Sequence, residues 1–141
     1  MFDLTAFLPY LVNRAGARMA REFARALEPL GIELNEWRVL AALLAQDDMR
    51  MSELADMTSI DRTTLSRLVG RMADAGLVLR RSGEDAREVR IALSERGLDT
   101  GRSILPLAAH YETVSLDGLS AEEAAMLKRM LVRVYVNLEK L

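Results

Sequence analysis

Seven arginines lie between residues 62 and 90, and their guanidinium groups are the most evident chemistry that this sequence of 141 residues offers. A planar guanidinium suits phosphate oxygens and the edges of guanine bases, which accept paired hydrogen bonds. The segment also has four acidic residues, so its charge is +3, whereas the whole chain carries −2 and the remainder −5. This cationic segment favours a nucleic-acid partner. A bias toward arginine codons remains the alternative, because the whole chain has 17 Arg and 2 Lys.

Other kinds of chemistry are poorly represented. The chain has no cysteine and one histidine, His110, so disulfides, thiolate metal clusters and cysteine nucleophiles are excluded. We find no nucleophile paired with a base, no phosphate-binding loop and no metal cluster, and we expect neither enzymatic activity nor a cofactor. The longest apolar run, Val39 to Ala45, is far shorter than the roughly 20 residues of a membrane span. We therefore expect a cytoplasmic protein without a membrane partner.

Apolar spacing predicts the helices that must position the arginines. Apolar residues at three- and four-residue intervals predict one long helix over about 4–27 with one buried face, and the segment 28–31 ends it. Asn35 is the predicted cap of a second helix, and Ser52 that of a short third helix. Asp61 is the predicted cap of a fourth helix, from Arg62 to about Ala75, with Gly76 at its end. A short helix, a polar turn and a second helix are typical of a helix-turn-helix.

After Gly76 the period changes to that of strands. Residues 77–79 and 89–93 predict a hairpin with a charged turn over 82–85. Ser94 is the predicted cap of a helix through about Ser115, bent near Pro106, and a capping box at 120–123 opens a last helix with an apolar stripe. We predict a mainly α fold with a small two- or three-stranded β wing. The winged helix-turn-helix domain would span 33–97, flanked by a helical dimerisation region formed by 1–32 and 98–141.

One side of the fourth helix is suited to reading a duplex. Arg62, Thr63, Ser66, Arg67 and Gly70 fall on a single face of a 3.6-residue helix. The small side chains let a helix backbone approach a groove, and the two arginines reach guanine edges or phosphates. A solvated polar face of an ordinary amphipathic helix is the alternative. No aromatic residue lies between 49 and 103, which disfavours single-strand binding by base stacking.

The hairpin turn carries Asp85 and, two residues later, Arg87. An arginine on a hairpin tip suits the narrow minor groove, where the electrostatic potential of DNA is most negative. We expect the Asp85 carboxylate to hold the Arg87 guanidinium by a charge-assisted hydrogen bond. A solvated charged turn is the alternative.

These motifs together resemble the MarR family of winged-helix transcription regulators. The matching segments are 52–55, 61–69, 76–78 and 85–87, followed by Leu93, Ser94 and Gly97. Ser94 replaces a more usual threonine and keeps the cap. The resemblance implies a recognition helix over 62–75, a wing arginine at Arg87 and a homodimer on double-stranded DNA, with half-sites roughly 10 base pairs apart. The DNA-binding residues would be Arg62, Thr63, Thr64, Ser66, Arg67, Arg71, Asp85 and Arg87.

The first helix carries a stripe of four arginines, Arg14, Arg18, Arg21 and Arg25, which is either a solvated face or an anion-binding surface. MarR-like proteins often bind effectors between the dimerisation helices and the winged domain. The resemblance therefore implies a small anionic aromatic effector, such as an aromatic carboxylate or its CoA thioester. The residues that would line its site are Asn13, Arg14, Arg18, Trp37 and Arg38. Trp37 as a core anchor is the alternative.

We predict a ligand-responsive DNA-binding transcription regulator that acts as a repressor on a pseudo-palindromic operator. In this hypothesis Thr63, Ser66 and Arg67 contact base edges, and Arg62, Arg71 and Arg87 contact phosphates or the minor groove. The rival is a winged-helix module that binds protein without direct DNA binding.

Overall fold

The computed structural model of the chain describes residues 1–85 and 87–141. Two compact units make up the chain, Met1–Leu107 and Ala108–Leu141. Among the described residues, none of the helices is long and apolar enough to cross a membrane. The elements are the helices α1 (Leu8–Leu27), α2 (Leu34–Ala45), α3 (Met51–Thr58), α4 (Arg62–Asp74), α5 (Glu95–Ser115) and α6 (Ala121–Asn137) and the strands β1 (Met49–Arg50), β2 (Val78–Ser82) and β3 (Val89–Leu93). Short 3₁₀ helices lie at Leu4–Ala6, Glu28–Leu30 and Leu138–Lys140.

Three predicted caps are confirmed by hydrogen bonds at helix starts. Asp61 accepts from the backbone N–H of Thr64 at 3.0 Å and so opens α4. The Ser94 hydroxyl accepts from the Gly97 N–H at 2.9 Å at the start of α5. Ser120 and Glu123 form the predicted reciprocal box at the start of α6, at 3.1 and 2.9 Å. Helix α5 continues through Pro106.

The predicted starts of three other helices are wrong. Helix α2 begins at Leu34, where the Glu33 N–H donates to Glu36 at 2.9 Å, whereas the Asn35 side chain accepts from Arg38 instead. Helix α3 begins at Met51 after extended Arg50, which places Ser52 inside the helix. The first helix begins at Leu8, because Phe7 is extended between it and the preceding 3₁₀ turn.

The hairpin β2–β3, called the wing below, belongs to a three-stranded antiparallel sheet of order β1-β3-β2. Met49 pairs with Ile91, and Arg81 pairs with Arg90 in the adjacent ladder. Strand β1, between α2 and α3, has only two residues. The prediction left two or three strands open, and the sheet has three. The additional strand, β1, connects the wing to the helix-turn-helix.

One apolar core joins α2, α3, α4 and the sheet. Its fully buried members include Leu40, Leu43, Leu54, Leu65, Val69 and Met72. The buried face of α4, with Leu65, Leu68, Val69 and Met72, lies opposite the predicted outer face. Beside this core, α5 begins so close to the end of α4 that a Cβ on Gly97 would lie 1.9 Å from the Leu77 carbonyl oxygen.

The outer helices have open apolar faces. On α1 the predicted buried stripe is buried only at Phe23 and Leu27, whereas Leu8, Leu11 and Met19 are exposed. Helix α6 has no buried residue. Its exposed apolar side chains include Leu127, Met130 and Leu131. The two stripes are present as helical faces, and this chain alone does not cover them.

Candidate nucleic-acid interface

Asp61 organises the N-terminus of α4. Its carboxylate accepts from the Thr64 hydroxyl at 2.6 Å and from the Thr64 N–H at 3.0 Å, and these hydrogen bonds lower the pKa of Asp61. Thr64, predicted to bind DNA, is exposed and donates its hydroxyl proton to Asp61. In the free protein this hydroxyl therefore shapes the helix start.

The predicted outer face of α4 lies opposite the core. Arg62, Thr63 and Arg67 are exposed, and Ser66 and Gly70 are partly exposed. The N-terminus of a helix also presents unpaired N–H groups and the positive end of the helix dipole. Small hydroxyl side chains therefore lie between two arginines at a positive helix end.

Arg71 differs from the other arginines of α4. Its guanidinium lies 3.9 Å from a carboxylate oxygen of Glu33, on the residue that precedes α2. Both side chains are well exposed. This distant pair partly offsets the charge of Arg71, which leaves Arg62 and Arg67 as the more available cations of the helix.

An open cleft of about 640 Å³ brings α4 and the wing together. Arg62 and Ser66 of α4 line it with Arg80 of β2 and with Asp85 and Arg87 of the wing turn. Residues from three separate sequence segments thus share one surface. Arg50 also lines the cleft. The sequence offered no signal for Arg50, because a two-residue strand is too short to recognise by period.

Asp85 acts on the backbone of the turn. Its carboxylate accepts from the Arg87 N–H at 3.0 Å, and its carbonyl accepts from the Glu88 N–H at 2.9 Å. The expected bond to the Arg87 guanidinium is absent from the described contacts. Asp85 therefore orders the turn and leaves the Arg87 guanidinium exposed. Ala86, the middle residue of this motif, lies outside the described residues.

The arginines of α4 and the wing differ in whether they form ion pairs. Arg81 and Arg90 form ion pairs with Asp48 at 2.9 and 3.2 Å. Over residues 1–85 and 87–141, in contrast, we find no ion pair at Arg62, Arg67, Arg80 or Arg87. Arg62, Arg80 and Arg87 of the unpaired group line the cleft, and Arg67 lies outside its lining. Arg50, which also lines the cleft, pairs with Glu53 and lies 4.0 Å from Glu88.

The residues predicted to bind an effector lie in the unit Met1–Leu107. Asn13, Arg14 and Arg18 are exposed on α1, and Arg14 donates to the Tyr10 hydroxyl at 2.7 Å. Trp37 is partly buried, with its ring 6.0 Å from that of Phe23. Such a tilted aromatic pair supports the packing role of Trp37.

Arg38, the fifth predicted effector residue, donates to the Asn35 side chain at 2.9 Å. Neither of the two clefts found in the described part of the chain is lined by any of the five predicted residues. The five residues all belong to the first unit, on α1 and α2.

The chain is similar to known proteins over most of its length. A family model described as "MarR family" matches residues 30–88. The HTH-type transcriptional repressor IacR of Pseudomonas putida is 29% identical, over 94% of this chain and 80% of that protein. The uncharacterized HTH-type transcriptional regulator YwoH of Bacillus subtilis is 30% identical, over 82% and 77%. These relatives are regulators of transcription and not enzymes, as the sequence predicted.

A solved structure extends the match to the whole length. The MarR family transcriptional regulator SPO1453 of Silicibacter pomeroyi DSS-3 is 30% identical, covers 98% of this chain and 99% of its own, and superposes with a TM-score of 0.83. The helices, the three-stranded sheet and the order of the elements are therefore those of a known winged-helix architecture. The chain belongs to the MarR family of transcriptional regulators.

Proposed function

We propose that this protein is a homodimeric repressor that binds a pseudo-palindromic DNA operator and responds to a small anionic effector. The observation that carries the DNA-binding part is the surface shared by α4 and the wing. Arg62, Arg80 and Arg87 line one open cleft there without an ion pair among the described residues. Cations left unpaired in the free protein are available to replace counterions at phosphates.

The proposed contacts follow from exposure and reach. Thr63, Ser66 and Arg67 lie on the outer face of α4 and would contact base edges in the major groove. Arg62, Arg71 and Arg87 would contact phosphates or the minor groove. Thr64 and Asp85 would support these contacts through the helix start and the turn.

The homodimer is supported by the open apolar faces of α1 and α6. Amphipathic helices gain most of their stability from packing, so such faces favour a partner with a matching surface. A second copy supplies that surface and places two recognition helices on one duplex. Half-sites roughly 10 base pairs apart would then face the two copies.

The effector part rests on the exposed cationic residues Arg14 and Arg18 of α1 and on Trp37 of α2 in the same unit. An aromatic carboxylate or its CoA thioester would meet Arg14 and Arg18 with its acid group. The names of relatives such as IacR favour repression over activation. The effector must bind one dimer geometry more tightly than another, since without differential affinity no change in operator binding follows.

The test is a titration of the purified protein against its own upstream DNA at several salt concentrations, with and without aromatic acids and their thioesters. Arg87→Ala should weaken binding to all duplexes and lower the salt slope by about one per protomer. Arg102→Ala, which makes the same charge change at an exposed position of α5, is the control.

Two results would contradict the proposal. An unchanged affinity and salt slope for Arg87→Ala would remove the wing from the interface. A wild-type protein that binds no duplex would instead favour a winged-helix module that binds protein.

A further inference from the structure

Asp48 lies in the turn between α2 and β1 and contacts both strands of the wing. Its Oδ1 is 2.9 Å from Nη2 of Arg81 on β2 and accepts from Nε of Arg90 on β3 at 3.2 Å. Its backbone carbonyl accepts from Nη2 of Arg90 at 2.7 Å. Arg81 and Arg90 are directly opposed in the β2–β3 ladder. One residue of the helical part therefore holds a cross-strand pair of the wing, one position before the last pair next to the turn.

The contacts continue from this pair to the turn that carries Arg87. The third donor of Arg90, Nη1, donates to Glu88 Oε1 at 2.8 Å. The backbone carbonyl of Glu88 accepts from the Gly83 N–H at 2.7 Å, and the Glu88 N–H donates to the backbone carbonyl of Asp85 at 2.9 Å. A continuous series of hydrogen bonds thus joins Asp48 to the backbone of the wing turn.

Charge and backbone conformation both single out Asp48. Two arginines directly opposite each other on neighbouring strands repel, and a carboxylate between them relieves that repulsion. Desolvation raises the pKa of Asp48, but the hydrogen bonds from Arg90 and Arg81 outweigh it and leave the pKa below its usual value. The backbone has a φ of 58°, a left-handed conformation that Asp and Asn adopt more readily than most residues.

We infer that Asp48 is a positioning residue for DNA binding, which holds the wing so that Arg87 meets the duplex together with α4. The inference rests on the proposed DNA-binding function. Asp48 itself contacts no DNA in this scheme, and its effect passes through Arg81, Arg90 and the wing turn. The same contacts pair Arg81 and Arg90 with Asp48, whereas Arg80 and Arg87 form no ion pair among the described residues.

The sign of the charge effect separates positioning from simple electrostatics. Asp48→Asn removes a negative charge, and this alone would strengthen binding to a polyanion. Loss of wing positioning would weaken it. Asn keeps the size of the side chain and tolerates the left-handed backbone, so this variant is expected to fold.

The experiment combines two substitutions of opposite charge in a double-mutant cycle with Arg87→Ala. Asp48→Asn and Arg81→Gln each remove one side of the Asp48–Arg81 contact. Each should weaken operator binding by about tenfold and reduce the further loss caused by Arg87→Ala, since coupled residues are not additive. Asp99→Asn, an exposed carboxylate on α5, controls for the charge change and should leave the effect of Arg87→Ala intact.

Hydrogen exchange of the free protein provides a readout that needs no DNA. In both variants the backbone amides of the wing strands should exchange faster than in the wild type, whereas those of α6 should exchange at the wild-type rate. The helix content should be unchanged. The inference is overturned if exchange in the wing is unaffected, or if Asp48→Asn binds DNA as Asp99→Asn does. A wild-type protein that binds no duplex would refute the proposed function, whereas the exchange data would still report whether Asp48 positions the wing.

Discussion

The winged part of the molecule (α2, α3, α4 and the sheet) buries its apolar residues, whereas the outer helices α1 and α6 leave many of theirs exposed. In α2, α3, α4 and the sheet, large side chains such as Leu43 and Leu65 are fully buried, and among the described residues no buried side-chain polar atom lacks a hydrogen-bond partner. In α6 and the first half of α1, residues of the same type, such as Leu131 and Leu11, are more than 40% exposed. The first region therefore buries its own large apolar side chains. The second leaves an apolar surface that only a further surface could cover.

This difference separates two tasks in one short chain. The winged part directs its apolar groups inward and leaves cations and hydroxyl groups of α4 and the wing exposed. The outer helices leave apolar area in water at a cost of about 25 cal/mol per Å², which the proposed self-association would recover. Folding of the winged part and assembly of the protein should therefore be separable by mutation.

The largest effect is expected at Gly97, where the winged part is most tightly closed. A Cβ there would lie 1.9 Å from the Leu77 carbonyl oxygen, and backbone atoms cannot yield as a side chain can. Gly97→Ala should lower the free energy of unfolding by about 3 kcal/mol or more, measured by urea denaturation. Gly101→Ala, one turn later on α5, meets only the flexible Leu44 side chain at 2.9 Å and should cost clearly less. Equal losses would show that the close approach of α5 is not what Gly97 permits.

A large effect on assembly, with little on folding, is expected at Leu131. Leu131→Glu places a charge in the exposed apolar stripe of α6, and an isologous interface would contain it twice. Self-association should weaken by about 100-fold or more, measured by sedimentation equilibrium. The thermal unfolding of the winged part should be retained. Arg129→Gln, on the opposite side of α6 with the same charge change, is the control, and a dimer unaffected by Leu131→Glu would exclude this stripe from the interface.

Acid should affect the winged part through carboxylates that are hydrogen-bonded in the folded state. Hydrogen bonds from Thr64 lower the pKa of Asp61, and a hydrogen bond from Arg50 lowers that of Glu53. A lowered folded-state pKa stabilises the protein above the unfolded value of about 4, and this contribution is lost as the pH falls through the folded values.

Asp61→Asn keeps a good N-cap but cannot titrate, so its stability should decline less between pH 5 and the acid limit than that of the wild type. Asp74→Asn, at the other end of α4, is the control, because no hydrogen bond of its side chain is found in the described part of the chain. Denaturant midpoints over a pH series measure the difference. Identical pH profiles for Asp61→Asn and the wild type would contradict the assignment.

Local signals in the sequence predicted much of this architecture, and the misses share a cause. Asp61, Ser94 and Ser120 were recognised as caps because a cap and its partner lie within three residues. Asn35 and Ser52 were wrong, since a neighbouring residue already opened each helix in the extended conformation. Period and capping residues therefore locate helices better than they locate their first residue.

The interactions that sequence could not reveal are those between distant segments. Asp48 and Arg90 are 42 residues apart, and β1 has too few residues to show a period. The role expected for Asp85 was wrong for a related reason, because a carboxylate beside both a guanidinium and a backbone N–H has two acceptable donors. The sequence shows the net positive charge of the cationic segment. Only the folded structure shows which of its arginines form ion pairs and which do not.

The smallest expected effect concerns Gly70, which lies on the outer face of α4 with nothing within 4 Å of the position of its missing Cβ. Glycine in a helix interior is less stable than alanine, so Gly70→Ala should raise the free energy of unfolding by about 0.5–1 kcal/mol. Gly16→Ala makes the same change in α1, again with open space, and should give a similar gain.

Denaturation measures both gains, and operator titration separates the two sites. A duplex that approaches the α4 backbone would meet the added methyl group, so Gly70→Ala should bind more weakly despite its greater stability, while Gly16→Ala should bind as the wild type does. If both stabilised variants bind equally well, the duplex does not approach α4 as far along as Gly70, and only its first two turns read DNA.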